Sequence, residues 1–124
     1  MPRTTLAATA VKTPKGPNPG TVAANDLHIL GTAADSVNGN QFVPAAGDIL
    51  KARNTHATIA RTITLTSIGD ERGRLGTITA YNLAAGEEAY FHFGDLVGWK
   101  QADGFIYLDA STADIFWTVL RRPA

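Results

Sequence analysis

Ile59-Ala-Arg-Thr-Ile-Thr-Leu-Thr-Ser-Ile68 is the stretch that decides the fold. Ile63 and Leu65 fall on one side of an extended chain, Thr62, Thr64 and Thr66 on the other. Successive side chains of a pleated strand leave on opposite faces, so this alternation predicts a half-buried strand. It belongs to a longer region, Asp48 to Leu120, with five short apolar runs closed by turns of Gly, Asn or Asp. Strands that recur at such short intervals predict an all-β sandwich or barrel.

Working outward, Leu27-His-Ile-Leu30 reads as a short strand and Ala33 to Asn40 as a polar loop. Gln41-Phe-Val43 leads to a turn at Pro44 to Gly47. Asp48 to Arg53 is a strand that stops at Asn54. Leu75 to Leu83 returns after the charged turn Gly69 to Arg74, with Ile78 and Ala80 opposing Thr77, Thr79 and Tyr81. Glu87 to Phe93 places Ala89, Phe91 and Phe93 on one face, which sends His92 outward. Phe105 to Asp109 and Asp114 to Arg121 form the closing pair. No segment carries a capped 3.6-residue apolar stripe, so almost no helix is expected beyond one turn near Asp95-Leu-Val97. About eight strands without βαβ spacing predict an antiparallel, jelly-roll-like sandwich. Its core should draw on Ile63, Leu65, Ile78, Phe91, Phe93, Ile106, Leu108, Ile115 and Trp117.

Residues 1–24 read differently from the body at 25–124. Pro14-Lys-Gly-Pro-Asn-Pro-Gly20 holds three prolines and two glycines. Proline removes a backbone donor and glycine adds chain entropy, so neither helix nor ordinary strand suits this stretch. Thr5 to Lys12 before it is β-compatible, and Leu6 and Val11 give it something to bury. The segment is therefore an extended arm on a Pro/Gly hinge, or a frayed terminus. As an arm it would reach away from the sandwich to a neighbour through Thr5, Leu6, Val11 and Lys12.

The 124 residues suit one domain, and 11 basic against 11 acidic residues leave the net charge at zero. That balance argues against bare nucleic acid or an anionic membrane as partner. With no cysteine, disulfides and thiolate metal sites are excluded. No apolar run approaches the 18 residues of a membrane-spanning helix, and the N-terminus lacks the apolar core of a secretory signal. A soluble protein used without export is expected.

Catalytic chemistry finds no purchase. His28, His56 and His92 are scattered, and a zinc site would need three ligands converging from separate strands. Ser36, Ser67 and Ser111 lie outside any G-x-S-x-G turn. Glu87 and Glu88 are adjacent on a strand and so point to opposite faces, whereas glycosidase carboxylates must face one cleft. No enzyme activity, metal or cofactor is expected. Asp70, Glu71, Arg72 and Arg74 form a mixed-charge turn, either a solvated loop or a salt-bridging contact to a neighbouring subunit. The stretch Gly73 to Gly76 has no phosphate-cradle pattern.

The order of these turns and strands carries a resemblance. Gly39-Asn-Gln-Phe42, Gly47 to Asn54 and Thr62 to Thr66 form its first part. Gly73 to Thr79, Leu83-Ala-Ala-Gly86 and Gln101 to Asp109 form the second. Over residues 27–121 the chain resembles small β-sandwich head decoration, or cement, proteins of tailed bacteriophages. Where that family typically shows a stretch like V-K-N, this chain reads Lys51-Ala-Arg-Asn54. The resemblance implies a structural virion protein on the capsid exterior, made in the host cytoplasm. It implies the major capsid protein as partner, bridging of neighbouring capsid subunits, and assembly as a homotrimer. A tail- or fibre-associated module that binds carbohydrate or a receptor is the alternative. It would need a platform drawn from Tyr81, Tyr90, Trp99 and Trp117.

Overall fold

A computed structural model describes residues 2–10, 31–69, 76–93 and 98–121. Ten strands occur among them and no helix. They are β1 (Thr4–Thr5), β2 (Ala8–Ala10), β3 (Thr32–Ala33), β4 (Asn40–Phe42) and β5 (Ile49–Asn54), then β6 (Arg61–Thr66), β7 (Ile78–Leu83), β8 (Glu88–His92), β9 (Ile106–Ala110) and β10 (Ile115–Arg121). The first sheet runs β1-β4-β9-β6-β7 and the second β2-β10-β5-β8, with β3 also on β10. This is the expected all-β sandwich. Its sheets are mixed, because β1 lies parallel to β4 and β2 parallel to β10 while every other pairing is antiparallel. The strand expected at Leu27 to Leu30 and the turn near Asp95 lie outside the described residues.

The alternation in β6 produces the core directly. Ile63 and Leu65 are buried and the three threonines are half-buried on the outer face. Leu50, Phe42, Ile106, Leu108, Ile115, Trp117 and Val119 join them. In β9 the inward pair is Ile106 and Leu108, with Tyr107 outward. Burying a side chain of this size contributes roughly 1.5–3 kcal/mol. The buried Asn54 side chain is satisfied on both its amide atoms. Asn54 Nδ2 donates to the carbonyls of Ile59 (2.9 Å) and Leu83 (3.0 Å), and its Oδ1 accepts from the His56 N–H at 3.0 Å.

Two expectations change. In β7, Tyr81 was expected opposite the Ile78 face. Instead Ile78 pairs with Leu65 and Tyr81 with Ile63, with a register shift between them. The extra residue is a bulge. Ala80 takes φ 51°, and its N–H leaves the ladder for Thr64 Oγ1 at 3.0 Å. One inserted residue restores Tyr81 to the inward side of an edge strand. There its ring meets Phe91 of β8 edge-on, at 6.2 Å between centroids. Phe91 itself is only half-buried, packed on the rim of the core. Phe91→Ala should therefore cost about 1–2 kcal/mol in chemical denaturation, not the 3–5 of a fully buried phenylalanine.

The second change concerns the N-terminus. Residues 4–10 are extended, as expected, but they pair with strands of their own chain instead of reaching away. β1 closes the β4 edge of the first sheet, and β2 lies on β10 of the second. Leu6, between them, crosses from sheet to sheet with its side chain in the core and only 6% exposed. Leu6 N–H donates to the Gln41 carbonyl at 2.8 Å. A leucine with backbone pairing on both sides has more to gain from the core of its own sandwich than from solvent. The remainder of the expected arm, from Val11 to Ala24, lies outside the described residues.

Candidate interaction surfaces

The N-terminal segment is fastened by a side chain with no obvious sequence signal, Arg3. Its Nη1 donates to Asp109 Oδ1 at 3.0 Å and to the carbonyls of Asn40 and Leu108, both at 3.2 Å. Nη2 adds Asp109 Oδ2 at 3.3 Å, which makes the carboxylate contact bidentate. The guanidinium carbon also lies 4.3 Å above the ring of Tyr107. Tyr107 in turn donates its hydroxyl to Asp103. That hydrogen bond holds the Asp103 carboxyl below its ordinary value and pushes the Tyr107 phenol up. Tyr107 and Asp109, two apart on β9, share the outer face of the first sheet by strand periodicity. This spacing was the available clue, but nothing in it names Arg3 as the partner. Gly39 makes room: a Cβ there would collide with Arg3 Nη1, and its φ of +81° favours glycine.

Thr4 and Thr5 continue the attachment. Thr4 Oγ1 donates to Asp35 Oδ2 at 2.6 Å, and Gln41 Nε2 donates to Thr5 Oγ1 at 3.1 Å. Asp35 also accepts from the backbone of Asn38 and Val37, so its carboxyl is held low, first by Asn38 and then by Thr4.

A second fastening lies at the other end of the chain. Arg121 of β10 donates through Nε to Asp48 Oδ1 (3.0 Å) and through Nη2 to Asp48 Oδ2 (2.7 Å) and the Val43 carbonyl (3.0 Å). The Ala45 N–H supplies another bond to Asp48 Oδ2 at 2.9 Å. Burial pushes the Asp48 carboxyl up, but the bonds from Arg121 and Ala45 and the Arg121 charge outweigh it, and the net direction is down. A carboxyl held low in the folded state stabilises above its unfolded value and loses that contribution as pH falls through the folded one. Asp48→Asn should cost about 1.5–3 kcal/mol at neutral pH, the usual worth of hydrogen bonds to a charged group. It should also flatten the acid limb of stability that begins near the unfolded value of 3.8. Thermal melts from neutral pH into that limb read both effects.

The outer face of the second sheet is set by register. Leu120, Ile49 and His92 form one row, Thr118, Lys51 and Tyr90 the next, and Phe116, Arg53 and Glu88 the third. Lys51 Nζ reaches Glu88 Oε2 at 2.6 Å and stands 6.0 Å from the Tyr90 ring centroid. Lys51 holds the Glu88 carboxyl low by that hydrogen bond. Tyr90 is 59% exposed at the β8 edge. Among the described residues, Val37, Val43, Ile59 and Tyr81 are also large apolar side chains with substantial exposure. Of the aromatics considered as a sugar platform, Trp117 is buried and Trp99 packs edge-on against Phe93 at 5.4 Å. Tyr81 and Tyr90 belong to different sheets, at the inward side of β7 and the outward side of β8.

Of the residues expected to touch a partner, Thr5 is exposed on β1 and Leu6 is buried in the core. Val11, Lys12, Asp70, Glu71, Arg72 and Arg74 lie outside the described residues. Three of the side chains weighed for catalysis make local hydrogen bonds. His56 Nδ1 accepts from the N–H groups of Thr58 (3.1 Å) and Ile59 (3.0 Å). Ser67 Oγ accepts from Gly76 N–H at 2.8 Å, and Glu87 Oε1 from Ala84 N–H at 2.7 Å. Among the described residues no group of three His, Asp or Glu is placed to hold a metal ion. Searches of protein-family models, of curated proteins and of solved structures find no match to this chain.

Proposed function

We propose that this chain is a structural virion protein of a tailed bacteriophage, bound to the outside of the capsid and bridging neighbouring capsid subunits. The observation that carries the proposal is the outer face of the second sheet. Exposed Tyr90 stands there among Lys51, Arg53, Glu88 and His92, with Ile49, Phe116 and Leu120 half-buried alongside. An aromatic anchor ringed by charges of both signs suits a protein surface better than a nucleic acid or a membrane. The turn and strand order over residues 27–121 supports the same reading through its resemblance to decoration proteins. Binding only the assembled shell would stabilise it by mass action, and a trimer at a junction of capsid subunits would bridge most of them.

The test is co-sedimentation with shells of the encoding phage assembled without this chain. The full chain should pellet with shells, and Tyr90→Ala should weaken binding at least about tenfold while its melting temperature stays near that of the parent. Electron microscopy of loaded and bare particles should show added density on the capsid exterior. No pelleting and no added density would reject the proposal. The carbohydrate-binding alternative rests on the exposure of Tyr81 and Tyr90, which do not form one platform. A glycan-array signal lost in Tyr81→Ala would revive it.

A further inference from the structure

We infer that the N-terminal strands exchange between copies of this chain, with β1, Leu6 and β2 of one copy completing the sandwich of another. The inference is independent of the virion reading, since it concerns only the fit of the chain to itself.

The geometry of β10 motivates it. β5 covers one edge of β10 from Ile115 to Leu120. The other edge is shared by two short segments, β2 beside Val119 to Arg121 and β3 beside Phe116 and Trp117. Ala10 therefore stands opposite Arg121, and Thr32 opposite Trp117, four positions back along the same strand. At about 3.3 Å per residue that gap is about 13 Å. The chain joining Ala10 to Thr32 could span about 70 Å if extended. A 124-residue domain has a diameter of about 35 Å, taken from its expected radius of gyration. The connection is several times longer than its own gap demands, and long enough to reach across a neighbouring molecule.

The segment it tethers is a self-contained plug. It contributes one core side chain, Leu6, and one bidentate side chain, Arg3, and its two strands pair only at sheet edges. Every one of these contacts can be made identically by the segment of a second copy, because the receiving groove is formed by β4, β9 and β10. That is the condition for domain exchange at little cost. Choice of partner then depends on concentration. Segments joined within one chain meet at effective concentrations on the order of millimolar, so exchange dominates when copies are crowded beyond that.

The absence of cysteine makes the test direct. Thr5 and Gln41 are register partners whose side chains already touch. Thr5→Cys and Gln41→Cys are prepared in separate chains with different tags, unfolded together, refolded from about 10 μM to several millimolar to bracket that effective concentration, and treated with a short thiol cross-linker. A doubled-mass species carrying both tags should appear and grow with concentration. Thr5→Cys mixed with Thr58→Cys, which the register does not place opposite β1, should give only background. The double variant Thr5→Cys/Gln41→Cys should cross-link within one chain at low concentration and between chains at high concentration. Should either cysteine variant prove unfolded, Thr9→Cys with Leu120→Cys, partners on the other sheet, gives the same readout. Cross-linking that stays within the chain at every concentration, with no mixed species, overturns the inference. Because no shell is present, that failure is distinct from failure to bind capsids.

Discussion

Deleting residues 2–10 should lower the melting temperature by about 10–30 °C. The estimate starts from Leu6, whose removal from a packed core costs about 2–5 kcal/mol. The deletion also strips β1 from β4 and β2 from β10, and leaves Asp109 and the carbonyls of Asn40 and Leu108 without Arg3. Against this, the truncated chain no longer orders those residues, worth about 1–2 kcal/mol each, which offsets much of the backbone hydrogen bonding. A net loss near the cost of Leu6 remains, about 3–5 kcal/mol. At this chain length each kcal/mol moves the midpoint by roughly 3–6 °C. Leu6→Ala in the full chain should reproduce most of the loss and Arg3→Ala a smaller share. A truncated protein that melts within a few degrees of the parent would show that the segment adds nothing to the body. Scanning calorimetry on the three variants separates these outcomes.

The second large effect belongs to Trp117. Its side chain is the largest of the fully buried ones, and it lies in β10 between Thr32 and Ala52. Trp117→Ala should cost about 3–5 kcal/mol or leave the chain unfolded, by the cavity it opens. Trp117→Phe should cost distinctly less than its lost volume suggests. The indole Nε1–H is buried and meets no acceptor among the described residues. An unmade buried hydrogen bond costs about 1–3 kcal/mol, and phenylalanine removes the donor with it. Urea denaturation of both variants is the measurement. If Trp117→Phe proves as damaging as Trp117→Ala, the indole nitrogen is satisfied in solution and shape alone matters.

Most of the body was legible because its signals are local. The β6 alternation, the Gly86 turn and the Phe91 and Phe93 pattern each speak through neighbours in sequence, and each strand they predict is present within a few residues of its expected bounds. The β7 bulge was hidden. Its cause is a hydrogen bond to Thr64 across the sheet, which period-two counting cannot register. The N-terminal docking was hidden for a similar reason. Leu6 was seen as something to bury, yet the groove that buries it is assembled from β4, β9 and β10, more than thirty positions away or more in sequence. Arg3 and Asp109 are the extreme case, separated by 106 positions. The candidate interaction surface was the least legible of all. Tyr90 becomes notable only once register puts Lys51 beside it and places Trp99 and Trp117 out of reach.

The parallel pairing of β2 with β10 has a mechanical consequence. Tension applied between the two ends of the chain pulls β2 from its N-terminal side and β10 from its C-terminal side. Parallel neighbours drawn in opposite directions slide along one another, so the ladder from Ala8 and Val119 to Ala10 and Arg121 is strained in shear, all at once. An antiparallel hairpin pulled from its open end would unzip one bond at a time. In single-molecule stretching from both termini, this short ladder should rupture as a unit, with a higher peak force than when the chain is pulled through Ala46 and the C-terminus, which draws the antiparallel β5 and β10 apart from one end.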